Sequence, residues 1–140
     1  MSEQNVQLHR EFTEAFNSRD IEALIALCDP GIELRSGVGA IEGDYHGYEG
    51  VRRWHRDFQD AWGAEVRIDE EAYFDLGERV LAFYVLHGRG QGSQAQVAMP
   101  GAAVGTWRDG RIVHLQGYAH RADALSDLGV TEDELEPIAP

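Results

Sequence analysis

The chain predicts an α+β layer fold in which helices gather in the first half and strands in the second. Three observations carry this. Two stretches before residue 63 repeat apolar side chains at helical spacing. From Glu65 onward the pattern changes to alternation. An Asp-Gly pair at Asp109-Gly110 then marks a tight hairpin between two of the alternating runs.

Val6 to Asn17 reads as the first helix, with Leu8, Phe12, Ala15 and Phe16 on one face. Asp20 suits an N-cap for a short second helix, Ile21 to Leu27, because its carboxylate can accept from the free amides of the first turn. Asp29-Pro30-Gly31 ends that helix. Ile32-Glu33-Leu34-Arg35 alternates as a strand. Ser36 to Gly43 reads as a glycine loop or as two short strands around a turn, and it holds no phosphate-binding glycine motif. Gly47 to Gly50 turns into a third helix whose stripe is Val51, Trp54, His55, Phe58, Ala61 and Trp62, stopped by Gly63.

Glu65 to Asp75 places Val66, Ile68, Ala72 and Phe74 on one face, and only Glu70 breaks it. Val80 to Leu86 is apolar on both faces, which predicts burial on both sides. Gln94 to Trp107 is a long strand, and Pro100-Gly101 within it predicts a bend or bulge. Ile112 to Ala119 is the last strand, and Asp123 to Leu128 closes the domain as a helical turn before Gly129. The domain is read as residues 1–130, with a loosely held acidic tail over 131–140. A strand apolar on both faces needs cover beyond the helices, so the pattern predicts a homodimer packed sheet to sheet.

The length of 140 residues suits one core. A formal net charge of -13 argues against nucleic-acid or anionic membrane partners. No apolar run approaches the roughly 20 residues that a membrane span takes, and the first ten residues are polar. The lone Cys28 leaves no internal disulfide, which fits a cytoplasmic protein.

Phe16 to Leu24, Asp29 to Arg35, Tyr45 to Val51, Trp107 to Val113 and Arg121 to Leu125, in that order and spacing, resemble the nuclear transport factor 2-like superfamily in its SnoaL-like (polyketide cyclase and ketosteroid isomerase-like) branch. The resemblance covers about residues 6 to 129. It implies a cone-shaped α+β barrel: three N-terminal helices packed on a curved, mostly antiparallel sheet, with a cavity between them. It also implies a dimer without a cofactor. Members include isomerases, cyclases, dehydratases, epoxide hydrolases and binding domains, so the fold leaves the chemistry open. The aspartate and tyrosine of the isomerase-like members are not matched: the early strand offers Glu33 and Arg35, and the first helix Phe12 and Phe16.

His55 is the leading candidate for chemistry. An imidazole on a core stripe can act as base or acid near neutrality, or it can be a buried ring hydrogen-bonded to a backbone carbonyl. Arg35 is expected to bind a substrate oxygen or to pair with Glu33 or Glu42, and Tyr118 to donate to a ligand oxygen or to pack at a sheet edge. Phe16, Tyr45, Trp54, Phe58, Phe83, His87 and Met99 are the candidate ligand wall. The six histidines, His9, His46, His55, His87, His114 and His120, show no metal-ligand spacing, so no metal is expected. The reading is a pocket for a small, largely apolar molecule. Either it works by acid–base chemistry without a cofactor (isomerisation, cyclisation or dehydration), or it is a binding or interaction module of the same fold.

Overall fold

The computed structural model describes residues 3–38, 41–89 and 95–140. Its helices are α1 (Glu3–Ser18), α2 (Ile21–Ala26), α3 (Gly47–Trp62) and α4 (Arg121–Leu128). Its strands are β1 (Cys28–Val38), β2 (Ile41–His46), β3 (Arg67–Leu76), β4 (Arg79–Arg89), β5 (Gln96–Arg108) and β6 (Arg111–Tyr118). The glycine-rich stretch therefore forms two strands, and residues 39–40 and 90–94 lie outside the described residues.

Local chemistry sets the element ends. The Asp20 carboxylate accepts from the Ala23 amide at 3.1 Å, capping α2. Gly63 ends α3 and donates its amide to Gln59 at 2.8 Å. Asp109 (φ 52°) and Gly110 (φ 79°) both take the left-handed region, as a tight turn joining twisted strands requires.

The strands form one sheet in the order β2-β1-β6-β5-β4-β3. Pairing is antiparallel throughout except between β1 and β6. The sheet does not close on itself, so β2 and β3 are its edges. Its inner face packs against α1 and α3, and burial there builds the main core. Its outer face is covered by this chain's own α4: Ala124, Leu125 and Leu128 pack with Phe74, Leu81 and Phe83. β4 is thus buried on both sides within one chain, and a second copy is not required to cover it.

Two register shifts change which residues face inward. On β3 the ladder slips between Glu70 and Ala72. Glu70 and Tyr73 then both point toward the helices, while Ala72 and Phe74 turn to the outer face. On β6 the slip opposite Thr106 and Trp107 leaves Ile112 and Leu115 inside and Tyr118 outside. β5, in contrast, pairs with β4 in an unbroken register through Pro100 and Gly101, so this ladder has no bulge there. β6 ends opposite Ala102. Pro100 therefore lies on a free edge where a missing N–H breaks no ladder.

The tail is not loose. Ile138 pairs with Tyr73 on the β3 edge, its amide donating to Tyr73 at 2.7 Å and its carbonyl accepting at 2.9 Å. Thr131 and Glu134 close a capping box just before it. This pairing also covers part of an open sheet edge.

Candidate functional site

The elements meet around a cavity of about 60 Å³. One water takes about 10–15 Å³ of such space, so there is room for about four waters or a small ligand group. The floor explains the space. Ala103 of β5 and Gly117 of β6 face each other across the ladder and fill little volume. Leu34, Ile68 and Leu115 rise around them as walls. Phe12 and Phe16 from α1, with Trp54 and Phe58 from α3, form the roof. The roof rings meet edge-on or tilted at 5.3 to 6.1 Å, an interlocked arrangement that holds the two helices apart.

Glu70 is the one carboxyl that lines this apolar space among the described residues. The β3 bulge places it there, beside α1. Thr13 Oγ1 donates to Glu70 Oε2 at 2.8 Å, and Tyr73 Oη donates to Oε1 at 2.6 Å. Burial pushes its proton affinity up, to a pKa of about 7; the two donated hydrogen bonds oppose that shift, and the Asp69 charge adds to it. Near neutral pH the group can therefore give or take a proton. Tyr73 and Tyr84, buried beside it, have their hydroxyls driven well above the ordinary phenol range, first by burial and then by the Glu70 charge.

Two further polar side chains border the cavity. His9 is 2% exposed, and burial lowers its pKa to about 4, so the ring is neutral. Its Nδ1 has no hydrogen-bond partner among the described residues. Ser36 Oγ is buried on β1 and likewise without a partner. The cavity thus combines one ionisable acid, a free hydroxyl and apolar walls.

The sequence candidates divide. Phe16, Trp54 and Phe58 line the cavity. Arg35 borders it through its strand, but its guanidinium turns out to solvent and pairs with Asp44 at 3.2 Å. Strand alternation requires this, because Leu34 and Ser36 point in.

His55 lies outside the lining. It sits behind Phe16, with ring centroids 5.0 Å apart, and its Nε2 meets the Phe16 carbonyl at 3.2 Å. The carbonyl can only accept, so Nε2 carries the proton. Burial lowers the ring's pKa. His55 thus ties α3 to the last turn of α1. Replacing it with leucine should cost about 1 kcal/mol, measured by urea unfolding, since one intramolecular hydrogen bond is lost. His55→Gln, whose amide can still donate, should recover most of that loss.

The other candidates are placed elsewhere. Tyr118 is turned outward by the β6 slip and donates to Asp127 at 2.9 Å. Phe83 packs against Phe74 under α4, with the Arg121 guanidinium over its ring. Tyr45 is buried but donates to Asp57 at 2.7 Å on the far side of α3. His87 is exposed and lies 3.3 Å from Asp69. Met99 is partly buried at the core margin, outside the lining. Glu70 carried a visible signal, a charge on an apolar strand face; Thr13, His9 and Ser36 carried none.

Solved structures share this architecture. A protein of unknown function from Burkholderia pseudomallei, described as nuclear transport factor 2-like, superposes with a TM-score of 0.75 at 22% identity, covering 88% of this chain and 95% of that one. TerC, crystallised with polyporic acid, gives a TM-score of 0.74 at 19% identity over 89% of this chain and 97% of that one. A protein of ketosteroid isomerase-like fold from Catenulispora acidiphila, in complex with trimethylamine, gives 0.72 at 20% identity over 90% and 95%. At these identities the likeness is one of fold. No curated protein matches the chain in sequence. Residues 9–115 match the model of the SnoaL-like domain. That span holds α3, most of α1 and most of the cavity, and this chain belongs to the SnoaL-like domain family.

Proposed function

We propose that the chain is an acid–base enzyme acting on a small, largely apolar molecule, with Glu70 as the group that carries the proton. The reaction class is isomerisation, cyclisation or dehydration. The observation that supports this is a carboxyl inside an apolar cavity, placed by a strand bulge and titrating near neutrality. In its ionised form Glu70 would remove a proton from a carbon next to a carbonyl, giving an enolate, and in its neutral form it would return that proton to another carbon or to a β-hydroxyl that leaves as water. Ser36, whose hydroxyl is uncommitted, would donate to the developing oxygen charge.

One observation favours a second reading. Both Glu70 oxygens already accept from the protein, as in a structural carboxyl, so the cavity could bind a guest without turnover. A thermal-shift screen separates these readings when followed by turnover assays. Its panel is apolar ketones and hydroxy acids, together with polyporic acid and trimethylamine. A ligand that is converted, and is no longer converted by Glu70→Gln, supports the enzyme. A ligand bound but unchanged supports the binding module. No ligand at all overturns both.

A homodimer belongs to the same proposal, but its surface is narrower than the sequence pattern implied. With α4 over the outer face at Phe74, Leu81 and Phe83, the contact would use the outer side of β1 and β6, around the exposed Arg35 and the half-exposed His114 and Gln116. Sedimentation showing only monomer at micromolar concentration would remove it.

A further inference from the structure

We propose that the C-terminal segment is a positioning strap for the cavity carboxyl: Ile138 and Ala139 hold Tyr73, and Tyr73 holds Glu70. The inference rests on the reading of Glu70 as the working acid, and it is carried by a continuous set of contacts. Ile138 makes two backbone hydrogen bonds to Tyr73, at 2.7 and 2.9 Å. Arg10 of α1 donates to the Ala139 carbonyl at 2.7 Å and stacks its guanidinium 5.2 Å above the Tyr73 ring. The Tyr73 ring is 2% exposed, and its hydroxyl reaches Glu70 Oε1 at 2.6 Å. Thr13, one helical turn beyond Arg10, completes the grip on the other oxygen.

The need for a strap follows from the backbone. β3 is an edge strand, and it is bulged between Glu70 and Ala72. A bulge interrupts the ladder to β4 on one side, and an edge has no strand on the other. The segment that carries both the acid and its phenol partner is therefore paired to the sheet on one side only, and that pairing is interrupted beside the acid. The tail supplies the missing ones at Tyr73. Arg10 then links tail, ring and helix in one cluster.

Releasing the tail should let Tyr73 shift and admit water to Glu70. Burial is the largest influence on that carboxyl, and it outweighs the hydrogen bond from Tyr73. Its titration midpoint should therefore fall. The titratable groups around it are His9 of α1, Asp69 and Tyr73 of β3 and Tyr84 of β4, with Arg10 of α1 acting on Tyr73.

The test follows the Glu70 side-chain carboxyl by NMR in the full-length protein without ligand. Ile138→Pro removes the amide that donates to Tyr73. Arg10→Gln removes the side-chain anchor that holds the tail at Ala139 while leaving every backbone donor in place, and it keeps the test valid should the proline variant not fold. Amide hydrogen exchange at Tyr73 reports release of the tail. The expected result is faster exchange at Tyr73, with a Glu70 midpoint lower by about half a pH unit or more. Faster exchange with an unchanged midpoint overturns the strap, as does a tail still paired in the wild-type manner in both variants. No substrate enters the measurement, so its outcome is separate from whether the chain proves to be an enzyme.

Discussion

Glu70→Gln should abolish turnover while making the protein more stable at alkaline pH. Removing a general acid or base typically lowers a rate by about 10² to 10⁴, and glutamine cannot carry the proton. The stability gain follows from linkage. In the unfolded chain this carboxyl titrates near its ordinary value of 4.5, whereas in the fold burial holds it to about 7. Between those two values the folded state binds the proton more tightly than the unfolded state. Stability is therefore fully present below about pH 4.5, declines as pH rises through 7, and then levels off. The decline amounts to about 3 kcal/mol, because each pH unit between the two midpoints is worth about 1.36 kcal/mol. Glutamine is neutral at every pH and keeps oxygen and nitrogen atoms facing Thr13 and Tyr73. It should remove that decline and raise Tm at pH 8 by about 10 °C. Thermal unfolding of both proteins from pH 4 to 9 checks this. Parallel curves would show that Glu70 titrates as an ordinary exposed acid, and the proposed chemistry would lose its proton carrier.

Ala103→Phe should eliminate ligand binding and leave the fold intact. Ala103 is half-buried on the floor, at the centre of the small-residue patch that keeps the hollow open. The phenyl ring added there would occupy most of a space of about 60 Å³. Filling existing space costs less than overpacking a full core, which runs to about 1–3 kcal/mol, so the far-UV spectrum and a cooperative melt should survive. Any ligand found by thermal shift should bind at least about 100-fold more weakly, a loss of roughly 2.7 kcal/mol. Calorimetric titration with unchanged affinity would place the guest elsewhere on the protein.

The features that sequence made legible are those governed by neighbours in the chain. The Asp20 cap, the Gly63 stop and the Asp109-Gly110 turn each depend on a few adjacent residues, and each is found as read. The α3 stripe was legible as a buried face. Burial, however, does not say what lies between a side chain and a hollow. Phe16, contributed by another helix, stands between His55 and the cavity, and no spacing within α3 encodes that. Alternation failed at the ladder slips. Counting by twos assigned Phe74 to the face of Ile68 and Tyr118 to that of Ile112, and in each case the extra residue reversed the count. Cover for β4 by α4 was illegible for a similar reason, since the sequence shows that a face needs burying and leaves open which segment will bury it.

The ladder slip on β3 also gives this strand one point at which its length can change. Elsewhere along a strand, losing a single residue turns every later side chain to the opposite face. Glu71 is the residue skipped by the pairing with β4, so its removal would leave Glu70 opposite Tyr84 and Ala72 opposite Phe83, with Glu70 and Tyr73 still inward. What such a shortened strand would lose is the Glu71 carboxylate that accepts from Arg121 at 2.8 Å, at the start of α4. Among related chains, single-residue gaps within this strand should therefore gather at position 71, and the chains that carry them should have to fasten their last helix by some other means.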